Sequence, residues 1–231
     1  MRDALKQKLQ QLESLGNNRA LMSGYGSLLS AYSRHVHSQI SAPGLSITIH
    51  NWSRSWITRA YHESQTYVGA VKDAGESFNA LLLAAEVAPE FLQREQDYRF
   101  TQIADADIEL EEFIVSTVEE NGSINACSSG LEADEIELIR AYMQTHPVYV
   151  CESLSVVPAD EGHPVNYSYI ATCLSGCFEI CGEKGVERFM RSTKGWAGEH
   201  FYDDLGDHKY PRAAVNALCD FEVGKLIKQY G

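Results

Sequence analysis

Apolar residues recur at helical spacing along most of the first 90 residues. Leucines in residues 5–15 follow one another at intervals of four, three and three, and a second run of the same kind covers residues 21–40. Such spacing places the apolar side chains on one face of an α-helix. Helical spacing resumes in residues 53–87, after an alternating, β-branched segment at residues 45–50 that is typical of a short strand. Pro89 then suits the first turn of a new helix.

The next segment combines an apolar stripe with a run of carboxylates. Interpreted as a helix, it has one apolar face and one acidic face. The apolar face contains Leu110, Phe113, Ile114 and Val118, and the opposite face contains Asp105, Glu109, Glu112 and Glu119. This pattern predicts an amphipathic helix with a carboxylate outer face. A further helix is predicted to begin near Ser129, which matches a capping box with Glu132.

The pattern changes after Pro147. Short β-rich segments are separated there by Gly, Pro, Asp and Glu, and they occupy residues 148–157, 166–174, 177–181 and 186–192. They predict a small antiparallel sheet with a hairpin turn at residues 182–185. A last helix is predicted from Pro211 towards Tyr230.

The predicted fold class is α+β. A helical N-terminal part that includes the acidic amphipathic helix is followed by a small antiparallel sheet and a C-terminal helix. The expected boundary separates residues 1–146 from residues 147–231, and the two parts can equally form one continuous domain. A chain of 231 residues with 44% hydrophobic residues is long enough and apolar enough for a substantial core.

The sequence favours a cytoplasmic protein with reduced thiols. No segment approaches the roughly 18 to 20 apolar residues that span a bilayer, so no membrane association is expected. The N-terminus has leucines at helical spacing and lacks the apolar region of a signal peptide. Six cysteines in 231 residues are too few for a disulfide scaffold.

The negative charge is concentrated in one segment. The net charge is −13, and residues 86–137 contain 15 acidic residues against two basic ones, which also gives −13. This charge argues against direct nucleic-acid binding, because phosphate contacts need Lys and Arg. It favours a basic protein partner.

Two sets of residues are candidates for a metal site. Cys173, Cys177 and Cys181 follow one another at intervals of four, but a turn near Ser175 would separate them, and core thiols are favoured over a metal site. His200, Asp204 and His208 would align on a helix and could hold a divalent ion that activates water. The glycines around this second set favour a solvated loop instead.

A basic–aromatic segment offers a third candidate site. Trp52 and Trp56 are interleaved with Arg54 and Arg59, a mixture that can stack bases and contact phosphate. Given the overall charge, we interpret the two tryptophans as core residues. Standard nucleotide, nucleophile and zinc motifs are absent from the sequence, and "GYG" at residues 24–26 is too short to count as one. No cofactor and no catalytic residue is therefore predicted.

The acidic segment leads to a functional hypothesis. Exposed helices usually mix charges, because carboxylates three or four residues apart repel each other. We therefore expect an interaction protein that docks on a basic surface of a nucleic-acid-handling protein or nuclease, with nucleic-acid charge mimicry by an anti-defence or immunity-type inhibitor as the candidate mode. The predicted partner-binding residues are Asp105, Glu109, Glu112, Glu119 and Glu120. The alternative is a metal-dependent hydrolase that uses His200, Asp204 and His208.

Overall fold

A large mixed β-sheet dominates the structure. A computed structural model describes residues 19–40, 44–86, 89–118, 124–198, 200–214 and 222–231. The strands are β1 (Arg19–Gly24), β2 (Gly44–Ala60), β3 (Gln65–Glu86), β4 (Tyr98–Gln102), β5 (Ile108–Val118), β6 (Ile124–Gly130), β7 (Val148–Ser153), β8 (Val165–Asn166), β9 (Thr193–Lys194) and β10 (Phe201–Tyr202). The helices are α1 (Ala31–Ser38), α2 (Pro89–Arg94), α3 (Ala133–Thr145), α4 (Tyr167–Ser192) and α5 (Val223–Tyr230), and 3-10 turns form at Ser27–Leu29 and Asp105–Asp107.

The strand order brings distant parts of the chain together. In the described residues the main sheet has eight strands in the order β4-β7-β1-β3-β2-β5-β6, with β9 beside β2. Strand β7 is parallel to β1 and antiparallel to β4. Residues from both sides of the predicted 146/147 boundary therefore contribute strands to one sheet. The short strands β8 and β10 pair with each other in a second sheet.

A long hairpin occupies the region where a helix was predicted. Strands β2 and β3 pair antiparallel along most of their length, so the helical prediction for residues 53–87 is wrong. Residues 65–70 and 78–83 of β3 are buried without interruption. A strand covered on both faces gives a continuous apolar run, and periodicity alone does not separate such a run from a buried helix. The predicted strand at residues 45–50 is confirmed as part of β2.

The N-terminal half is less helical than predicted. Residues 1–18, with the first predicted helix, lie outside the described residues. The second predicted helix, over residues 21–40, is instead strand β1, a 3-10 turn and the eight-residue helix α1. The Ser30 side chain caps α1 by accepting a hydrogen bond from the Ser33 N–H at 3.4 Å. Helix α2 begins at Pro89 as predicted. Helix α3 is confirmed as an element, but it begins at Ala133 with Glu132 as its N-cap, and Ser129 belongs to β6, so the predicted capping box of Ser129 with Glu132 is wrong.

The C-terminal part contains a long helix in place of the predicted antiparallel sheet. Strand β7 confirms the first predicted segment, but residues 167–192 form α4 with a kink at Cys181 and Gly182, where the hairpin turn was expected. Gly176 lets α4 pass close to the 3-10 turn, because a Cβ there would lie 2.2 Å from the Leu29 carbonyl carbon. The last helix begins at Val223, not at Pro211. The predicted fold class is therefore wrong, since the main element is a mixed sheet with helices packed on it.

None of the helices in the described ranges has an apolar stretch long enough to cross a membrane.

Candidate functional site

The acidic segment is a β-strand and not an amphipathic helix. Asp105 lies in a 3-10 turn, and Glu109 and Glu112 lie on β5. Glu119 and Glu120 are outside the described residues. Between Ser46 and Ile47 of β2 the register with β5 shifts by one residue, which makes Glu111 the extra residue of a bulge. After the bulge, the side chains that point to a given face of the sheet move from even to odd positions. The apolar residues of this strand therefore have a spacing that resembles the apolar face of a helix.

Two acidic side chains of this segment form contacts with other residues of the same chain. The Glu111 carboxylate accepts hydrogen bonds from Ser46 Oγ at 2.8 Å and from the Arg188 guanidinium of α4 at 2.6 Å. Glu109 pairs with His50 at 3.0 Å. The helical carboxylate face is therefore absent from the described residues. The hypothesis of an inhibitor that acts by nucleic-acid charge mimicry depended on this face and is wrong. Whether a basic protein binds these acids stays a prediction.

The candidate metal residues do not form a metal centre. Asp204 is buried and accepts hydrogen bonds from Ser168 N–H at 2.8 Å, Ser168 Oγ at 2.5 Å and Lys209 N–H at 2.8 Å. Its carboxylate thus ties the start of α4 to the loop that follows β10. Nowhere in the described ranges do three His, Cys, Asp or Glu side chains come together as a possible metal site. The metal-dependent hydrolase is therefore wrong as well.

Cys173 and Cys177 lie on the first part of α4, with no turn at Ser175 between them, and Cys181 lies at the kink of α4. Cys173 and Cys177 are buried and Cys181 is exposed, all as free thiols. Burial raises the pKa of Cys177 to about 12, with the Arg54 charge acting in the opposite direction. The first two therefore behave as core residues.

The basic–aromatic segment is largely core. Trp52 and Trp56 are buried, and Arg54 has no exposed surface. Arg59 pairs with Asp160 at 2.6 Å. The segment therefore does not present an open stacking surface, in agreement with the interpretation of the tryptophans as core residues.

A small pocket opens where β1 ends and the chain turns towards α1. Its cavity volume is about 40 Å³, far below the 300–1,000 Å³ of a drug-sized site. Strands β3, β4 and β7, the residue that follows α2, and α4 complete its wall. The lining residues are Ser23, Tyr25, Gly26, Ser27, Leu28, Val68, Glu95, Tyr98, Cys151 and Tyr169. A pocket of this size accepts a small group, and the rest of any larger ligand must remain outside.

Glu95 is the acidic residue of this pocket. It follows α2 directly, where its N–H donates to Phe91 O at 3.0 Å and its carbonyl accepts from Tyr98 N–H at 3.0 Å. Its side chain is buried, and burial raises the pKa of the carboxyl, while the charges of Arg94 and Arg212 and a hydrogen bond from the Cys151 thiol oppose that increase. A buried carboxyl with a raised pKa is a candidate for general acid–base catalysis.

The other polar groups of the pocket are neutral. The Tyr25 hydroxyl donates to the Cys151 carbonyl, and the Tyr98 hydroxyl donates to Val68 O at 2.8 Å. Burial raises the pKa of Tyr25, Tyr98 and the Cys151 thiol well above their usual ranges. The thiol therefore stays protonated and is a poor nucleophile.

Gly26 keeps the pocket open. A Cβ on this residue would lie 2.7 Å from Tyr169 Oη and 2.8 Å from Val68 Cγ2, and both neighbours line the pocket. The site therefore requires a residue without a side chain here.

The sequence pattern alone does not reveal this site. Glu95 is one of 15 acids in residues 86–137, and "GYG" at residues 24–26 is too short to count as a standard motif. The available clue was local. A strand followed by Gly-Tyr-Gly-Ser and then by the helix cap Ser30 places a glycine where the backbone can approach a ligand. Nothing in the sequence places Glu95 beside that turn.

Comparison with known proteins adds three similar structures. No protein-family model and no curated protein matches the chain. The chain is similar to YkqA from Bacillus subtilis (12% identity, TM-score 0.46, 80% of this chain), and it spans only 59% of that protein. It is also similar to an uncharacterized protein from Homo sapiens (11%, TM-score 0.43, 92% of this chain and 99% of that chain). A third match is named γ-glutamyl cyclotransferase (11%, TM-score 0.41, 91% of this chain and 99% of that chain). At these TM-scores the matches do not establish an activity for this chain.

Proposed function

We propose that the protein is an enzyme acting on a small molecule, with Glu95 as its general acid–base. The observation that carries this proposal is the buried Glu95 carboxyl in the wall of the pocket, with its pKa raised by burial. Burying a carboxyl costs free energy, and such groups with perturbed pKa values are concentrated at functional sites. Proton transfer by a positioned side chain contributes about 10²–10⁴-fold to a reaction rate.

As part of this proposal we assign acyl transfer without a protein nucleophile. The Cys151 thiol is protonated, and the hydroxyl hydrogens of Tyr25 and Tyr98 are donated to backbone carbonyls. We therefore assign the attacking atom to the substrate or to water. Ionised Glu95 removes a proton from that atom as its bond to the acyl carbon forms. Glu95 then returns the proton to the leaving nitrogen or oxygen as the old acyl bond breaks.

Substrate screening with a matched pair of variants tests the proposal. Small amides and esters of amino acids would be incubated with the protein and their products followed by mass spectrometry. γ-Glutamyl amides belong in the panel because one similar protein is named γ-glutamyl cyclotransferase. We expect Glu95→Gln to lower turnover by about 10²–10⁴-fold. Glu135→Gln is the control, because Glu135 is also buried but lies on α3, where it accepts a hydrogen bond from Glu132 N–H at 3.0 Å.

Two outcomes would contradict the proposal. One is a wild-type protein that converts no member of the panel. The other is a folded Glu95→Gln variant that turns over substrate as fast as the wild-type protein.

We also propose that the protein works in the cytoplasm. Support comes from the free thiols of Cys151, Cys173, Cys177 and Cys181, since the cytosol keeps thiols reduced. Subcellular fractionation of the native cell, with an antibody against the protein, checks this location.

A further inference from the structure

We infer that Arg94 is the positioning residue of the proposed acid–base Glu95, and this inference rests on the proposed function. Arg94 Nε lies 3.2 Å from Glu95 Oε1, and the two side chains are only 6% and 9% exposed. A charge pair that is so well shielded from water interacts more strongly than a surface pair. Arg94 is the last residue of α2, and Glu95 follows it directly.

The rest of the Arg94 guanidinium binds the opposite side of the pocket. One terminal nitrogen donates to Ser27 Oγ at 2.8 Å and to Ser33 Oγ at 3.4 Å, and the other donates to Ser38 Oγ. Ser27 lines the pocket, whereas Ser33 and Ser38 belong to α1. Arg94 therefore joins the Glu95 carboxyl to the turn that forms the facing wall. A guanidinium suits this task because its donors form a rigid, planar fork.

The same contact sets the charge of Glu95. Burial favours the neutral carboxyl, and the charges facing it that favour ionisation are Arg94 and, from the C-terminal region, Arg212. Cys151 on β7 contributes a hydrogen bond with the same effect. Tyr25 and Tyr98, which also face Glu95, remain neutral. Loss of the Arg94 charge should therefore leave the carboxyl protonated over a wider range of pH.

A direct titration of Glu95 tests this inference without any substrate. Carboxyl carbons of glutamate would be labelled with ¹³C and followed by NMR as a function of pH, and the Glu95→Gln variant identifies the Glu95 resonance. Arg94→Gln should raise the pKa of Glu95 by about 1–3 units, the usual effect of removing a close opposite charge. Arg94→Lys keeps the charge and loses the planar fork of donors. The pKa of Glu95 in this variant should therefore lie between its values in the wild type and in Arg94→Gln. Arg191→Gln is the control, because Arg191 pairs with Glu187 at 2.8 Å on the surface of α4.

The outcomes separate this inference from the proposed function. An unchanged pKa of Glu95 in both Arg94 variants would overturn the inference, whether or not a substrate is known. If Arg94→Gln does not fold, Arg94→Lys decides alone, and a pKa equal to that of the wild type counts against the role of Arg94. Where turnover is measurable, the acidic limb of its pH profile should lie at the lowest pH in the wild type, at a higher pH in Arg94→Lys and at the highest pH in Arg94→Gln. Absence of turnover would contradict only the proposed function.

Discussion

Single residues determine whether the pocket exists. Its shape depends on Gly26, and its chemistry depends on one carboxyl, Glu95. Arg94 contacts both sides of the pocket at once. Each of these roles follows from a specific distance, so each can be tested by a small change of side chain.

Gly26→Ala should block the pocket while the protein stays folded. The added methyl group would lie 2.7 Å from Tyr169 Oη and 2.8 Å from Val68 Cγ2, so a side chain or the turn must move. Overpacking of this kind costs about 1–3 kcal/mol of unfolding free energy. Turnover should fall by at least about tenfold, because a 1.4 kcal/mol misfit of a bound group has that effect.

The control for this variant is Gly130→Ala. A Cβ at Gly130 meets nothing within 4 Å, so both stability and turnover should remain close to wild type. Thermal unfolding and the substrate assay provide the two measurements. A Gly26→Ala protein with wild-type turnover would show that the pocket is not where the reaction occurs.

At the scale of elements, the contact of α1 with α4 contains another buried carboxyl. Glu179 of α4 accepts a hydrogen bond from Ala31 N–H at 2.7 Å and from Ser175 Oγ at 3.3 Å. Burial raises its pKa to about 7, although these hydrogen bonds and the Arg34 charge act in the opposite direction. Glu179 thus holds the start of α1 against α4 at a cost in stability once it ionises.

The unfolding free energy should therefore fall with rising pH, and ionisation of Glu179 should account for part of this fall. The ordinary pKa of a glutamate is 4.5 and the folded value is about 7, so between these values the native state binds more protons than the unfolded state. The unfolding free energy of the wild type relative to Glu179→Gln should fall by about 2–3 kcal/mol between pH 5 and pH 8. Urea denaturation at the two pH values measures this difference. The exposed Glu183→Gln is the control, and parallel behaviour of the wild type and Glu179→Gln would contradict the prediction.

The sequence predicts helix α3 near its true position because one face of this helix is buried and the other is exposed. Strand β7 was also predicted near its true position, although it is buried over almost its whole length. Strand β3 is buried on both faces over residues 65–70 and 78–83, so its apolar pattern has no period of two. Helix α4 is rich in β-branched and aromatic residues, and its burial against the sheet outweighs their weak preference for strands. The candidate site was beyond prediction because its parts meet only after the sheet forms.

At the scale of the whole molecule, one buried cation connects the sheet with α4. Arg54 on β2 donates to Tyr25 O at 3.0 Å, to Asn79 O at 2.9 Å and to Thr193 Oγ1 at 2.8 Å. Its guanidinium carbon lies 4.0 Å from the centre of the Phe189 ring. Burial lowers its pKa to about 10, so the charge is retained at neutral pH.

Arg54→Leu should be among the most destabilising single substitutions in the protein. Several buried oxygens would lose their donor, and each unsatisfied group costs about 1–3 kcal/mol. We expect a loss of about 3–5 kcal/mol in the free energy of unfolding, measured by urea denaturation. The surface variant Arg191→Leu should change stability little, because Arg191 is exposed. A fully stable Arg54→Leu protein would mean that leucine packing replaces the network.

The parallel pairing of β1 with β7 has a consequence for the order of folding. Tyr25 and Cys151 touch across 126 residues of sequence, and the strand that carries Cys151 lies between β1 and β4. Closing so long a loop costs entropy before any contact compensates for it, and chains dominated by such contacts fold slowly. On the ribosome, the pocket cannot form until β7 has been synthesised, so a chain released before that point contains Glu95 without its surrounding wall.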